Sequence, residues 1–168
     1  MPGGGRPVQY RYGGFDGMNT TSITLGDVLA RAGSAAPAFE TMWQALWSQR
    51  RVPPALLELC RLRLAQLHGA AAELAVAHPA VQVPPAQRDS VIRGGFATDG
   101  QFAPGEVAVL SLAEVYAQDP AAITDGMADA VRRTYGDAGL VVLIEALGFI
   151  DGRIRMARLT NALARAGA

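Results

Sequence analysis

The segment running from Pro54 to Pro79, PALLELCRLRLAQLHGAAAELAVAHP, constrains the fold of this chain more than any other feature. It is built almost entirely from Ala and Leu, the residues that lose least on entering a helix, and it is bounded by prolines. This predicts a helix from about Ala55 to Ala77, with Gly69 as its weak point. Apolar residues occur on nearly every side of it, so other elements must cover it. The rest of the chain repeats the helical period. Thr24 is placed to cap a short helix, Leu25 to Ala32, stopped at Gly33. Pro37 suits the first turn of the next, whose stripe is Phe39, Met42, Trp43, Leu46 and Trp47. Gln49, Arg50 and Arg51 favour its C-terminal end, before Val52-Pro53-Pro54 breaks it. A short helix from Ala86 to Ile92 stops at Gly94-Gly95, and Pro104 opens another through Tyr116. Thr124 or Asp125 caps a helix through Met127, Ala130 and Val131. Asp137 caps a last one from Ala138 to Ala166, interrupted or closely packed at Gly148 and Gly152. Period-2 alternation between turn signals, the mark of a strand, is nowhere found, and VVLI at 141–144 lies inside a helical frame. The expected class is all-α, with about seven helices and no internal repeat.

At 168 residues this length suits one domain. We place it at residues 24–168, behind a glycine-rich, flexible arm, residues 1–23, that carries Tyr10, Tyr12 and Phe15. Half the residues are hydrophobic and 18% are charged, a balance that folds rather than staying disordered. Fifteen basic and fifteen acidic side chains leave no net charge, which removes the electrostatic case for a nucleic-acid or anionic-membrane partner. No run approaches the ~18–20 apolar residues that span a bilayer, and no targeting segment is visible, so the expected location is cytoplasmic.

Two absences narrow the chemistry. Every basic residue is arginine; without lysine there is no Schiff base, pyridoxal site or P-loop. The one cysteine, Cys60, leaves no intrachain disulfide, CxxC pair or cysteine-rich metal site. Cys60 reads as a core cysteine, with Arg61 the one nearby charge that would lower its pKa.

Glu58 interrupts an apolar run. It is either a general acid or base in a dry pocket or half of a structural ion pair with Arg61 or Arg63. The two histidines, His68 and His78, lie ten residues apart, which on a straight helix is about 80° and ~15 Å, too far to share a metal. Each is a catalyst or a surface or hydrogen-bonded histidine. Glu145 has no basic residue at i+3 or i+4 and must face solvent, pair across helices or line a pocket, whereas Asp151 has Arg155 at i+4. Trp43, Trp47, Tyr116, Phe96, Phe102 and Phe149 form core, an apolar ligand pocket or a subunit interface.

The stretch ELCRLRLAQLHGAAAELAVAH resembles the carboxymuconolactone decarboxylase and alkylhydroperoxidase-D-like family, with Glu58, Arg61, Leu62, Arg63, Ala65, Gln66, Leu67 and Gly69 in register. GEVAVLSLAE and DAGLVVLIEALGFIDGRIRMAR resemble its following and closing helices, so the likeness spans residues 24–160. It implies an alkylhydroperoxidase-D-like helical bundle that assembles as homotrimers or hexamers. The redox branch works through CxxC and a downstream histidine. Here those columns hold Ala70, Glu73 and Ala77, which argues against a peroxidase. The decarboxylase branch needs no metal or organic cofactor. That implies acid–base chemistry of lyase, isomerase or cyclase type on a small apolar or carboxylated molecule. Glu58, His68 and Glu73 would move protons, Arg61 would hold a carboxylate, and Trp43, Trp47, Tyr116 and Phe149 would line the site. The alternative is a ligand-binding or assembly protein that keeps the scaffold without the chemistry.

Overall fold

The computed structural model describes residues 25–31, 33 and 35–166, with side chains described as far as Ala162. The arm at residues 1–23 and the Thr24 cap lie outside the described residues. The architecture is all-α: α1 (Leu25–Ala30), α2 (Ala35–Ser48), α3 (Pro54–Leu67), α4 (Ala71–Ala75), α5 (Pro85–Arg93), α6 (Pro104–Gln118) and α7 (Asp125–Ala166). A single turn of 3₁₀ helix, Pro120–Ala122, joins the last two, and no strand occurs among the described residues.

α3 is the hub. Leu56, Leu57, Leu59, Cys60, Leu62, Leu64 and Ala65 are all buried, so the helix is enclosed on every side, as its sequence requires. α5, α6 and α7 pack around it. α6 contributes Val109, Leu110, Leu112 and Ala113 to the same core, and α7 contributes Leu143, Leu147, Ile150 and Ile154.

The helix expected from Ala55 to Ala77 is cut in two. Gly69 takes φ +61°, its amide donates to Gln66 O at 3.0 Å, and Ala70 N donates to Ala65 O at 2.8 Å. This pair of bonds is a Schellman stop, which satisfies the last carbonyls of α3 and turns the chain away. α4 is one short turn, and Val76 beyond it is extended. α5 ends in the same way at Gly94, φ +80°, with Gly95 N on Ser90 O at 2.9 Å.

Other ends follow the sequence closely. Glu106 Oε2 accepts from Ala103 N at 2.8 Å at the start of α6, and Thr124 Oγ1 accepts from Met127 N at the start of α7. α7 breaks at Gly136 (φ 68°, ψ 177°), beside the expected start at Asp137, whose carboxylate lies 2.9 Å from Arg132 Nε. α1 ends two residues short of Ala32. Met42, expected in the buried stripe of α2, is 40% exposed. Close packing occurs at Gly148, against a side chain rather than a backbone, and not at Gly152. A Cβ at Gly148 would meet the Tyr116 hydroxyl, and one at Gly152 would meet nothing within 4 Å.

Candidate functional site

Glu58 and Arg61 form the polar centre of the apolar hub. One turn of helix separates them, which brings both onto one face of α3. Arg61 Nε donates to Glu58 Oε2 and Nη2 donates to Oε1, both at 2.7 Å, a bidentate fork buried from solvent. The other edge of the guanidinium reaches the residues after the Gly69 turn. Nη1 donates to Glu73 O at 2.7 Å and Nη2 to Val76 O at 2.6 Å. The Glu73 carboxylate stands 3.6 Å from Nη1. Arg61 therefore fixes α4 and the strand-like residues that follow it onto α3. Its donors are used within the protein, so the expected role of Arg61 as the grip on a substrate carboxylate is not available to it.

Glu58 also faces space. A cavity of about 300 Å³ is lined by Glu58 and Leu62 of α3, by Ala77, Val81, Gln82 and Val83, and by Arg88 of α5. Its walls are mostly aliphatic, with a carboxylate and a guanidinium as the two charged groups. Arg88 Nη2 donates to Leu74 O, and its other N–H groups have no protein partner among the described residues. Arg88 is the cation the sequence reading missed. Nothing in an isolated PPAQRDSV segment distinguishes it from a surface arginine of α5.

Of the three residues expected to move protons, Glu58 and Glu73 meet at the Arg61 guanidinium, and His68 stands apart. His68 closes α3, and its Nε2 pairs with Asp151 Oδ1 on α7, while Arg155 Nε donates to Asp151 Oδ2 at 2.6 Å. His68 is thus a clasp between α3 and α7, ten residues of chain from Glu58 and tied to another helix. Glu73 contributes its carbonyl to Arg61 and keeps its carboxylate outside the cavity lining. The histidine that does reach Glu58 is His78, whose backbone N–H donates to Glu58 Oε1 at 3.4 Å.

His78 stacks on Trp47 with ring centroids 4.3 Å apart, and Trp47 meets Trp43 edge-on at 5.1 Å. Trp43 continues to Phe149 at 6.1 Å, and Phe149 to Phe39 at 4.7 Å. Trp43, Trp47 and Phe149 therefore share one aromatic group as expected, joined by Phe39 and His78. Tyr116 stands apart from it, beside Gly148. Burial lowers the pKa of His78 below its ordinary 6.5; the Glu58 carboxylate opposes this and the Arg61 guanidinium adds to it. Arg153 lies over the Trp43 ring at 4.2 Å, and its Nε is buried without a hydrogen-bond partner. Burial pushes Arg153 down, against the fields of Glu73 and Glu40 and with that of Arg61.

Arg63, the other partner considered for Glu58, pairs instead with Glu114 of α6. Cys60 is fully buried, and desolvation pushes its thiol up to about 12. It is a core cysteine, with no thiolate to offer. Among the described residues no three side chains of His, Cys, Asp or Glu converge to hold a metal ion. No described helix is long and apolar enough to cross a membrane. Comparison with protein-family models, with curated proteins and with solved structures finds nothing that matches the chain.

Proposed function

We propose that the chain binds a small, largely apolar carboxylate in the cavity against Glu58 and performs thiol-independent, cofactor-free acid–base chemistry on it. The observation that carries this reading is the cavity wall itself. Glu58 and Arg88 are its only charged members, set in aliphatic surroundings of a size that suits a small metabolite. Arg88, with free N–H groups, holds the carboxylate. Glu58 takes a proton from the ligand's carbon, exchanges it with water and returns one to carbon, or takes a proton from water and gives it to the carbanion left by loss of carbon dioxide. Leu62, Val81 and Val83 give the ligand's apolar body an aliphatic wall. Lyase, isomerase or cyclase chemistry fits, and the high pKa of Cys60 argues against a peroxidase.

The likeness of the α3 stretch to the carboxymuconolactone decarboxylase and alkylhydroperoxidase-D-like family supports the same reading. With it go self-association, as homotrimers or hexamers, and a cytoplasmic location. A small molecule, rather than nucleic acid or membrane, is the partner that a chain without net charge favours.

One observation favours a non-catalytic binder on the same scaffold: both oxygens of Glu58 are already held by Arg61. The test is titration of the protein with a panel of small aliphatic and aromatic carboxylates by NMR, in deuterated water. The proposal expects saturable binding, a loss of affinity of about tenfold or more in Arg88→Met, and deuterium entering the bound ligand beside its carboxylate. Binding without exchange or turnover selects the non-catalytic reading. Unchanged affinity in Arg88→Met overturns both.

A further inference from the structure

The outward face of α7 is apolar, and its pattern is self-complementary. Five large apolar side chains are exposed among the described residues, and three of them, Val141 (55%), Ile144 (46%) and Leu159 (61%), lie on this helix. At 100° per residue, Val141, Glu145, Gly148, Gly152, Arg155 and Leu159 fall within a stripe about 80° wide, opposite the buried Leu143, Leu147, Ile150 and Ile154. Glu145 is exposed and has no hydrogen bond or ion pair among the described residues. Arg155, also exposed, meets Asp151 through Nε and turns the rest of its fork outward. A Cβ at Gly152 would meet nothing, so the helix surface there is open to close approach.

The spacing is symmetric about the two glycines. Glu145 lies three residues before Gly148, and Arg155 three after Gly152; Val141 lies seven before and Leu159 seven after. A second copy of α7 laid antiparallel across this face, with Gly148 opposite the partner's Gly152, sets each Glu145 against an arginine and each Val141 against a leucine. Ile144 meets a methionine, since Met156 is four beyond Gly152. Each contact occurs twice, as a two-fold interface requires.

We propose that the chain self-associates through this face, as an antiparallel α7–α7 pair about a two-fold axis centred between Gly148 and Gly152. The occupant is a second copy because the charges are complementary to the face itself and to its own reversed order. The stripe runs ~27 Å from Val141 to Leu159; at the crossing Gly152 leaves room for the partner helix, and the Tyr116 hydroxyl, which lies against Gly148, flanks it. The inference is independent of the Glu58 cavity. It is compatible with a dimer or with a hexamer containing two-fold axes, and not with an isolated trimer.

Cysteine cross-linking of the full-length chain tests it cleanly, since the one native thiol is buried and held at a pKa of about 12. Val141 and Leu159 lie too far apart on one helix to bridge within a copy, so oxidation of a Val141→Cys, Leu159→Cys double variant is expected to give covalent dimers. Each single variant is expected to stay uncross-linked. Sedimentation is expected to show an even-numbered assembly that Glu145→Arg weakens about tenfold, by opposing the partner's Arg155. Cross-linking of Val141→Cys alone indicates parallel pairing and overturns the proposal. So does a monomeric or trimeric mass. So does a monomer whose Val141→Cys thiol resists alkylation, because the chain itself then covers the face.

Discussion

Replacing Arg61 with methionine tests how the site is held. The substitution keeps most of the aliphatic stem but removes two 2.7 Å bonds to Glu58 and the bonds to Glu73 O and Val76 O. Glu58, with its side chain 3% exposed, is left as a buried carboxylate with the His78 amide at 3.4 Å as its nearest donor. Breaking a buried ion pair from one side costs about 3–5 kcal/mol, most of it the penalty of the stranded charge. At roughly 2–4 °C per kcal/mol for a chain of this length, the midpoint of thermal unfolding falls by about 10 °C. The assay is urea and thermal unfolding followed by helical circular dichroism, on the wild type, Arg61→Met, Glu58→Leu and the double variant. The double variant is expected to be more stable than the sum of the singles, because no charge is stranded in it. A loss below about 1 kcal/mol in Arg61→Met, the range of exposed pairs, refutes the reasoning. Strict additivity in the double variant refutes it too.

Three further outcomes follow from the same geometry. The His78 ring titrates below 6.5 by NMR. Because its folded pKa is depressed relative to the unfolded chain, its contribution to stability is intact above pH 6.5 and declines as pH falls through that value, a decline that His78→Gln removes. Cys60 is expected to ignore a thiol reagent in the native protein and to react fully on unfolding; native reactivity contradicts its place in the core. Gly136→Ala, at φ 68° and ψ 177°, is expected to destabilise the chain by about 1–3 kcal/mol in the same unfolding assay, since only glycine adopts that backbone easily.

The helical architecture was legible because Ala, Leu, proline and glycine signals agree along most of the chain. Pro54, Pro85 and Pro104 open helices where a proline at the first turn should, and Gly94 ends one. The site was legible only near its centre. The pairing of Glu58 with Arg61 follows from i,i+3 spacing, which is local. The failure at Gly69 is instructive. Treated as a continuous helix, Leu67 to Ala77 carries Glu73 ~22 Å and His78 ~30 Å along the axis from Glu58. The Schellman turn removes that register, and His78 returns to Glu58 along an extended segment instead. Trp43, Trp47 and Phe149 converge because α2 packs on α7, and Arg153 joins them for the same reason. Such tertiary juxtapositions leave no periodic trace in a single sequence. Arg88 is the plainest case, a residue of ordinary helix composition that only the tertiary fold puts on the cavity wall.

The central claim is that a small carboxylate occupies the cavity between Glu58 and Arg88. The most direct measurement is a crystal structure of the protein soaked with the tightest-binding carboxylate from the titration panel, paired with the same soak of Arg88→Met. The account predicts ligand density in the cavity, its carboxylate on the Arg88 guanidinium and its apolar body against Leu62 and Val83, with the density lost in the variant. Density placed elsewhere, on the Arg153 and Trp43 face for example, or retained in Arg88→Met, contradicts it.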